Sequence, residues 1–464
     1  VPEGVEIVNI TISELASFLE TPVAVGLAEG PLGPVSTDSR TLKQGDCFVA
    51  LKGNALDGHD FVPQAVRAGA ACLVVERPFP EYADTTQILV RDTLHALGEI
   101  ARLWRSKLDG VKIAVFVGSS GKTTAKEMAA KIIGASMPTL ATQGNLNNLI
   151  GVPQMIFQIQ PSHKAAILEL GMNMAGELRR LVEITSPHCV AMTNISNAHI
   201  GMFSSQEDLF QAKTDSLKWS PEESVLVMNT DDPLSRRARE DFARGRQVVN
   251  FGYGEDAQVT AREVERLVPF GYRFRLAAGG DGDVLVNLHI FGRHNIMNAL
   301  AAAAVAKFFG VALPDIAAGL DGFRTAANRS EVEEVNGWFI VKDYYNASPA
   351  AVEQALLGLE DFSVPGRRFA VLGDMLELGA WERMYHTQVG TVAAGVGLSK
   401  LFTVGMRGAH IGAAALAKGQ PSEHFADAES VAARLKEELR PGDLLLIKGS
   451  RLMKLEKIYE LLKG

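Results

Sequence analysis

Residues 111–134 read VKIAVFVGSSGKTTAKEMAAKIIG, a short apolar run that ends in a glycine-bounded loop and continues as a helix. Lys112 to Val117 are β-branched, aromatic and apolar enough for a buried strand, and Thr123 onward has the Ala, Lys, Glu and Met content of a helix. Between them, Gly118, Ser119, Ser120 and Gly121 let backbone N–H groups turn toward an anion at the helix N-terminus, where the helix dipole also favours negative charge. Lys122 is then placed to reach the outer phosphates of a nucleotide, and the hydroxyl of Thr123 or Thr124 to ligate Mg2+. The pattern G-x-x-x-x-G-K-[ST] would put glycine where this chain has Phe116, so the loop is a shorter variant. The competing reading is a glycine turn leading into a surface helix.

The chain around this stretch has 464 residues, enough for about three domains at ~150 residues each. It is 47% hydrophobic and 22% charged, ordinary usage for a water-soluble protein, and no apolar run reaches the ~20 residues of a membrane-spanning helix. The first residues lack the basic start and small-residue cleavage site of a secretory signal, so a cytoplasmic location is expected. Cys47, Cys72 and Cys189 lie far apart with no C-x-x-C spacing, which argues against a disulfide framework or a zinc site. A net charge of −8 with no basic tract gives no electrostatic footprint for nucleic acid.

The pattern predicts an α/β protein of three parts: 1–110, 111–325 and 326–464. In the first, DCFVALKG and ACLVVER read as strands, and FVPQAVRAG and LHALGEIARLWRSKL as helices. Two loops there, Ser36 to Arg40 and Gly53 to His59, are rich in glycine and short hydrogen-bonding side chains, which suits either a ligand or ordinary turns. In the second, AAILELG, HCVAMTNIS, SVLVMNTDD and QVVNFG read as parallel strands buried on both faces. Ligands of such sheets sit at the carboxyl ends of the strands, which points to Glu169, Asn194, Asn229, Asp231 and Asp232. Alternation between 254 and 292, with a turn at Gly279 to Gly282, predicts a hairpin leaving the core, followed by the alanine-rich helix IMNALAAAAVAKFFG. In the third, WFIVKDYYN, RRFAVLGD, KLFTVG and DLLLIKGS read as strands, and Ser348-Pro349 opens a helix as N-cap and first helical residue.

A strand-end carboxylate such as Glu169 suits Mg2+, which takes one or two carboxylates together with phosphates and water. By themselves His199 and Lys213 would be unremarkable. Together, however, Gly118 to Thr124, Gly144-Asn145-Leu146-Asn147-Asn148-Leu149-Ile150-Gly151-Val152-Pro153, Glu169-Leu170-Gly171, Gly292-Arg293-His294-Asn295-Ile296 and Asp343-Tyr344-Tyr345-Asn346-Ala347 resemble the Mur ligase family in order and spacing. Gly373-Asp374-Met375-Leu376-Glu377-Leu378-Gly379 and the Gly-Asn-Leu-Asn-Asn run are most similar to the members that add D-alanyl-D-alanine. The Asp-Asn-Pro-Arg segment of the diaminopimelate-adding members is not present.

The resemblance implies a central P-loop parallel sheet that binds ATP, a small N-terminal α/β domain that holds the UDP end of a substrate, and a Rossmann-like C-terminal α/β domain that closes over the cleft. The implied reaction joins D-alanyl-D-alanine to UDP-N-acetylmuramoyl-tripeptide through an acyl phosphate, with ATP and Mg2+, in a monomer that makes peptidoglycan precursor. Carried over by residue, Lys122 and Thr123 serve the triphosphate and cation. Glu169, His199 and Lys213 serve a second cation, Lys213 matching the lysine that family members carbamylate. Asn295, Arg329 and Asp343 lie by the nucleotide, Asn145, Asn147 and Asn148 by the substrate, and Thr37, Asp38, Ser39, Arg40 and Asn54 by the uridine diphosphate. The family's Asp-Ser-Tyr-Asn-Ala-Asn-Pro reads here Asp343 to Pro349 with Tyr344 and Ser348 at its serine and second asparagine. Two other functions compete: another amino-acid ligase of the same family, and a regulatory module that binds ATP without joining anything.

Overall fold

Three β-sheets, each flanked by helices, make up the computed structural model, which describes residues 10–21, 23–25, 30–53 and 56–464. The largest sheet has nine strands and is built outward from Lys112–Val117. That strand lies between Ala165–Glu169 on one side and Cys189–Met192 on the other, parallel to both. Thr139–Ala141 closes one edge, and Val225–Asn229, Val248–Phe251 and Val259–Arg266 extend the other. After Lys112–Val117 the chain first builds toward one edge and then crosses to the other side. The carboxyl end of this strand is therefore a topological switch point, where parallel sheets of this kind open a crevice.

Burial on both faces explains the apolar runs of the inner strands: Ala165–Glu169, Cys189–Met192 and Val225–Asn229 are buried throughout. The hairpin Tyr272–Ala278 and Asp283–Leu288 pairs across the expected glycine turn. It does not leave the core. It continues the same sheet antiparallel to Val259–Arg266, and the alternation arises because Tyr272, Phe274 and Leu276 pack inward while their neighbours meet water. The alanine-rich helix His294–Phe308 is buried at every position from Asn298 to Ala306, its small side chains allowing close approach to the phosphate-loop helix Lys122–Gly134.

The first sheet has five strands, and in it Cys47 and Cys72 face each other in register on neighbouring parallel strands. All three cysteines are free and buried, so the distance between these two in sequence is not their distance in space. The helix Thr93–Ser106 fastens this unit to the central one: Trp104 Nε1 donates to Ile159 O at 3.3 Å, and Arg180 pairs with Glu99 at 2.7 Å. The third sheet has six strands, four of them the expected ones, with Glu331–Val335 and Ser422–Phe425 added at its edges. Both additions are charged edge strands that carry no apolar run. Pro349 does begin a helix, Pro349–Gly358, but the Ser348 side chain makes no capping hydrogen bond. Phe362 anchors this unit against the central one, its ring 5.1 Å from Phe270 and 6.2 Å from Phe291. No helix among the described residues is long and apolar enough to cross a membrane.

Candidate active site

The phosphate-type loop is shaped by its glycines and tied down by the next strand. Gly118 has φ +133°, and a Cβ there would overlap Thr193 Oγ1; Gly121, at φ +78°, caps the helix in the left-handed region. Ser119 N donates to Asn194 O at 2.9 Å, Ser120 N to Asn194 Oδ1 at 3.1 Å, and Thr193 Oγ1 to Ser120 O at 2.7 Å. Asn194 is thus a brace for the loop. Asn229 and Asp232 likewise spend their side chains on turns: Asn229 Oδ1 accepts from Asp231 N, and Asp232 caps the helix Pro233–Phe242 while accepting from Ile195 N.

Next to the loop, one carboxylate gathers two other side chains. Glu169 is buried at the end of its strand; Thr123 Oγ1 donates to Glu169 Oε2 at 2.6 Å and Asn147 Nδ2 to Glu169 Oε1 at 2.8 Å. Glu169 N in turn donates to Thr142 Oγ1 at 2.9 Å. Among the described residues no cluster of three or more His, Cys, Asp or Glu could cage a metal ion. A hydroxyl beside one carboxylate is instead the donor set of an Mg2+ that keeps phosphate oxygens and waters as its other ligands, so these residues fit that ion.

The loop and Glu169 open into a cavity of about 720 Å3. The central unit contributes Ser119 through Thr124, Asn145, Asn147, Asn148 and His199 to its wall, and the third unit contributes Arg329, Asp343, Tyr345 and Lys448. Lys122 is half-buried, and its Nζ donates to Gly118 O at 2.8 Å; desolvation lowers its pKa, Glu169 opposing and Arg329 adding to the shift. Lys213 is 2% exposed, and burial together with the charge of Lys122 brings its pKa down to about 7. His199 Nδ1 lies 2.6 Å from Glu377 Oε2 of the third unit. Arg329 stacks over the Tyr345 ring at 3.8 Å.

Residues 33–105 match the Mur ligase family catalytic domain, 117–306 the Mur ligase middle domain and 328–451 the Mur ligase glutamate ligase domain. The UDP-N-acetylmuramoyl-tripeptide--D-alanyl-D-alanine ligase of Bacillus subtilis (strain 168) is 35% identical over 430 residues, covering 92% of each chain. The chain belongs to the Mur ligase family. A crystal structure of MurF from Acinetobacter baumannii superposes with a TM-score of 0.89 at 32% identity over 100% of both chains. MurF ligase from Thermotoga maritima, in complex with ADP, gives 0.82 at 26% identity over 93% of this chain and 97% of that one.

Within this Mur ligase some residues singled out from the sequence stand away from the cavity wall. Asn295 donates to Phe291 O at 2.8 Å and accepts from Asn298 Nδ2 at 2.8 Å, so it is Asn298, one turn on, that reaches the wall. Asn148 reaches the wall but also accepts from Ile150 N and Gly151 N, closing the turn before the helix Gly151–Ile156. In the first domain Arg40 turns back on Asp38 at 2.7 Å and holds that carboxyl down to about 2. Ser39 Oγ donates to Gln64 Oε1 at 3.1 Å, and Thr37 Oγ1 accepts from Gln154 Nε2 of the central domain at 3.1 Å. Asn54 lies outside the described residues.

Besides Asn298, the wall includes Lys448 and His294, to which the sequence reading gave no role. Lys448, buried at the end of Leu444–Lys448, pairs with Asp343 at 2.6 Å and donates to Asn346 O at 3.1 Å. His294 is half-buried, desolvation pushes its pKa down to about 4, and its Nδ1 has no hydrogen-bond partner. The signals were there: a lysine closing an apolar strand and a histidine opening a helix.

Proposed function

We propose that this Mur ligase joins D-alanyl-D-alanine to UDP-N-acetylmuramoyl-tripeptide, cleaving ATP to ADP and phosphate, in the cytoplasm. The observation that carries the reading is the Glu169 carboxylate, held between the Thr123 hydroxyl and the Asn147 amide at the mouth of a glycine loop. The relatives of known specificity support the choice of substrates, as do Gly144 to Asn148 and Gly373 to Gly379.

A carboxylate resists attack by an amine because oxide is a poor leaving group; phosphoryl transfer from ATP makes it an acyl phosphate, whose leaving group is phosphate. Positioning and charge stabilisation supply most of the acceleration for such transfers. Mg2+, when bound, neutralises phosphate charge and holds the transferring group. Thr123 and Glu169 would hold that ion, and His199 would assist there. Lys122 would meet the outer phosphates, Arg329 would bring a second cation from the third domain, and Asp343 would fix Lys448. Lys213, with an amine that is neutral for much of the time near pH 7, would react with carbon dioxide to give a carbamate, an anion suited to a site crowded with cations. We assign residues 1–110 to the uridine diphosphate, 111–325 to ATP and 326–464 to closure of the cleft. Thr37, Asp38, Ser39, Arg40 and Asn54 would face the nucleotide-sugar, and Asn145, Asn147 and Asn148 its peptide end.

Phosphate release from ATP, measured with the UDP-linked tripeptide and D-alanyl-D-alanine each omitted in turn, tests the proposal. A ligase of this specificity needs both. Release without the dipeptide would mean an ATPase or a different amine substrate.

A further inference from the structure

We infer that Glu377 is a positioning residue for His199, orienting the imidazole across the junction between the central and third domains. Two turns meet at that junction. Gly201 N donates to Glu377 O at 3.1 Å; a Cβ on Gly201 would overlap Gly379 N, and one on Gly379 would come 2.9 Å from Gly201 Cα. The turns therefore touch backbone to backbone, with no side chain between them. His199 and Glu377 both hold left-handed backbone, φ +67° and +65°, which non-glycine residues adopt only where the surroundings impose it. That geometry places Glu377 Oε2 2.6 Å from His199 Nδ1.

The nitrogen has no solvent-accessible surface and no aligned hydrogen bond, so the half-exposed glutamate stands at ion-pair distance with room to come into line. Contact with the imidazole holds the Glu377 carboxyl below its ordinary range. His199 forms part of the wall of the main cavity and also of a smaller one, about 90 Å3, lined by Glu377, Asn346, Ser450 and Arg451. With Nδ1 beside Glu377, Nε2 is the ring nitrogen left for a ligand of the main cavity, whose wall His199 shares. Histidines that serve metal ions characteristically give their other ring nitrogen to a carboxylate, which fixes tautomer and orientation. Because Glu377 belongs to the third domain, the imidazole is set only when that domain is docked, so closure and cation affinity are coupled. The inference rests on the role given to His199 at the cation.

Mn2+ binding to the full-length protein with ADP, followed by electron paramagnetic resonance, tests this without turnover. For Glu377→Ala the Mn2+ dissociation constant is expected to rise about tenfold, the lower end of what loss of such a partner does. Glu377→Gln should fall between, since its amide oxygen still accepts. The Gly201–Glu377 backbone hydrogen bond survives both changes, and circular dichroism checks the fold. In the phosphate-release assay the Mg2+ half-saturation should rise by the same factor while KM for D-alanyl-D-alanine holds. An unchanged Mn2+ constant in a folded Glu377→Ala protein overturns the inference, as does a raised KM for the dipeptide with unchanged Mn2+ binding, which would make Glu377 a substrate contact. Wild-type protein that binds Mn2+ and ADP yet joins no dipeptide would overturn the reaction instead, and the Mn2+ comparison would still decide the role of Glu377.

Discussion

At the scale of single residues, the site separates groups that shape it from groups that carry charge. Lys122 reaches Gly118 O through its ammonium, whereas the loop's path is set by glycines and by Asn194. Lys122→Ala should accordingly abolish turnover with an unchanged thermal midpoint, and normal phosphate release in that variant would refute the loop's assignment. Glu169→Ala should lose activity that excess Mg2+ partly restores, because a missing ligand first weakens cation binding. For Lys213 the sign of the pH effect follows from its pKa of about 7 in the fold against about 10.4 in an unfolded chain. Between those values the unfolded chain binds more protons, so the lysine's contribution to stability rises with pH through that window. Its amine is cationic below about 7, so activity should fall there, and carbon-dioxide-depleted enzyme should recover on adding bicarbonate. Lys213→Ala should be nearly inactive and partly rescued by short carboxylic acids; wild-type activity in that variant would end the carbamate idea.

At the scale of elements, what could be read in the sequence was set by how completely each segment is buried. The strands Lys112–Val117, Ala165–Glu169, Cys189–Met192 and Leu444–Lys448 are apolar runs because both faces are covered, and such runs announce themselves. Glu331–Val335 and Ser422–Phe425 sit at sheet edges, half wet, and their charged sequences carry no such mark. Site residues followed a similar rule. Lys122 and Thr123 stood out as candidates because a glycine loop flanks them, whereas Lys448, at a strand end like Glu169, has its charge partner Asp343 on a strand more than a hundred residues earlier. Only the assembled sheet brings that pair together. The glycines offer a direct check on this level of structure. Gly118→Ala must accept a left-handed φ and an overlap with Thr193, so it should destabilise the protein by roughly 1–3 kcal/mol and weaken nucleotide binding. Gly110→Ala, at a turn with open space around the position, should change neither; denaturant titration of the two variants compares them.

At the scale of the whole molecule, one apolar cluster runs from the first unit through the central one into the third, and each sheet has a further core of its own on its other face. The first and central domains meet through the helix Thr93–Ser106 and through the Gln154–Thr37 hydrogen bond, and the central and third meet at Phe362 and at the two glycine turns. The 37–40 loop contributes nothing to the wall of the main cavity. A change there should therefore act on one substrate and spare the other. Thr37→Ala combined with Ser39→Ala removes two neutral hydroxyls, and at roughly 0.5–1.5 kcal/mol per hydrogen bond the nucleotide-sugar should bind about 1–3 kcal/mol more weakly. At 1.4 kcal/mol for each factor of ten, that is a loss of about five- to 150-fold. ATP affinity should stay within error, since the phosphate loop is held by Asn194 and Thr193 on the central sheet. Calorimetric titration of both ligands into the double variant separates the possibilities: an equal loss for ATP would mean that the domains are coupled through Gln154, and no loss for the nucleotide-sugar would mean that residues 37–40 are only a turn.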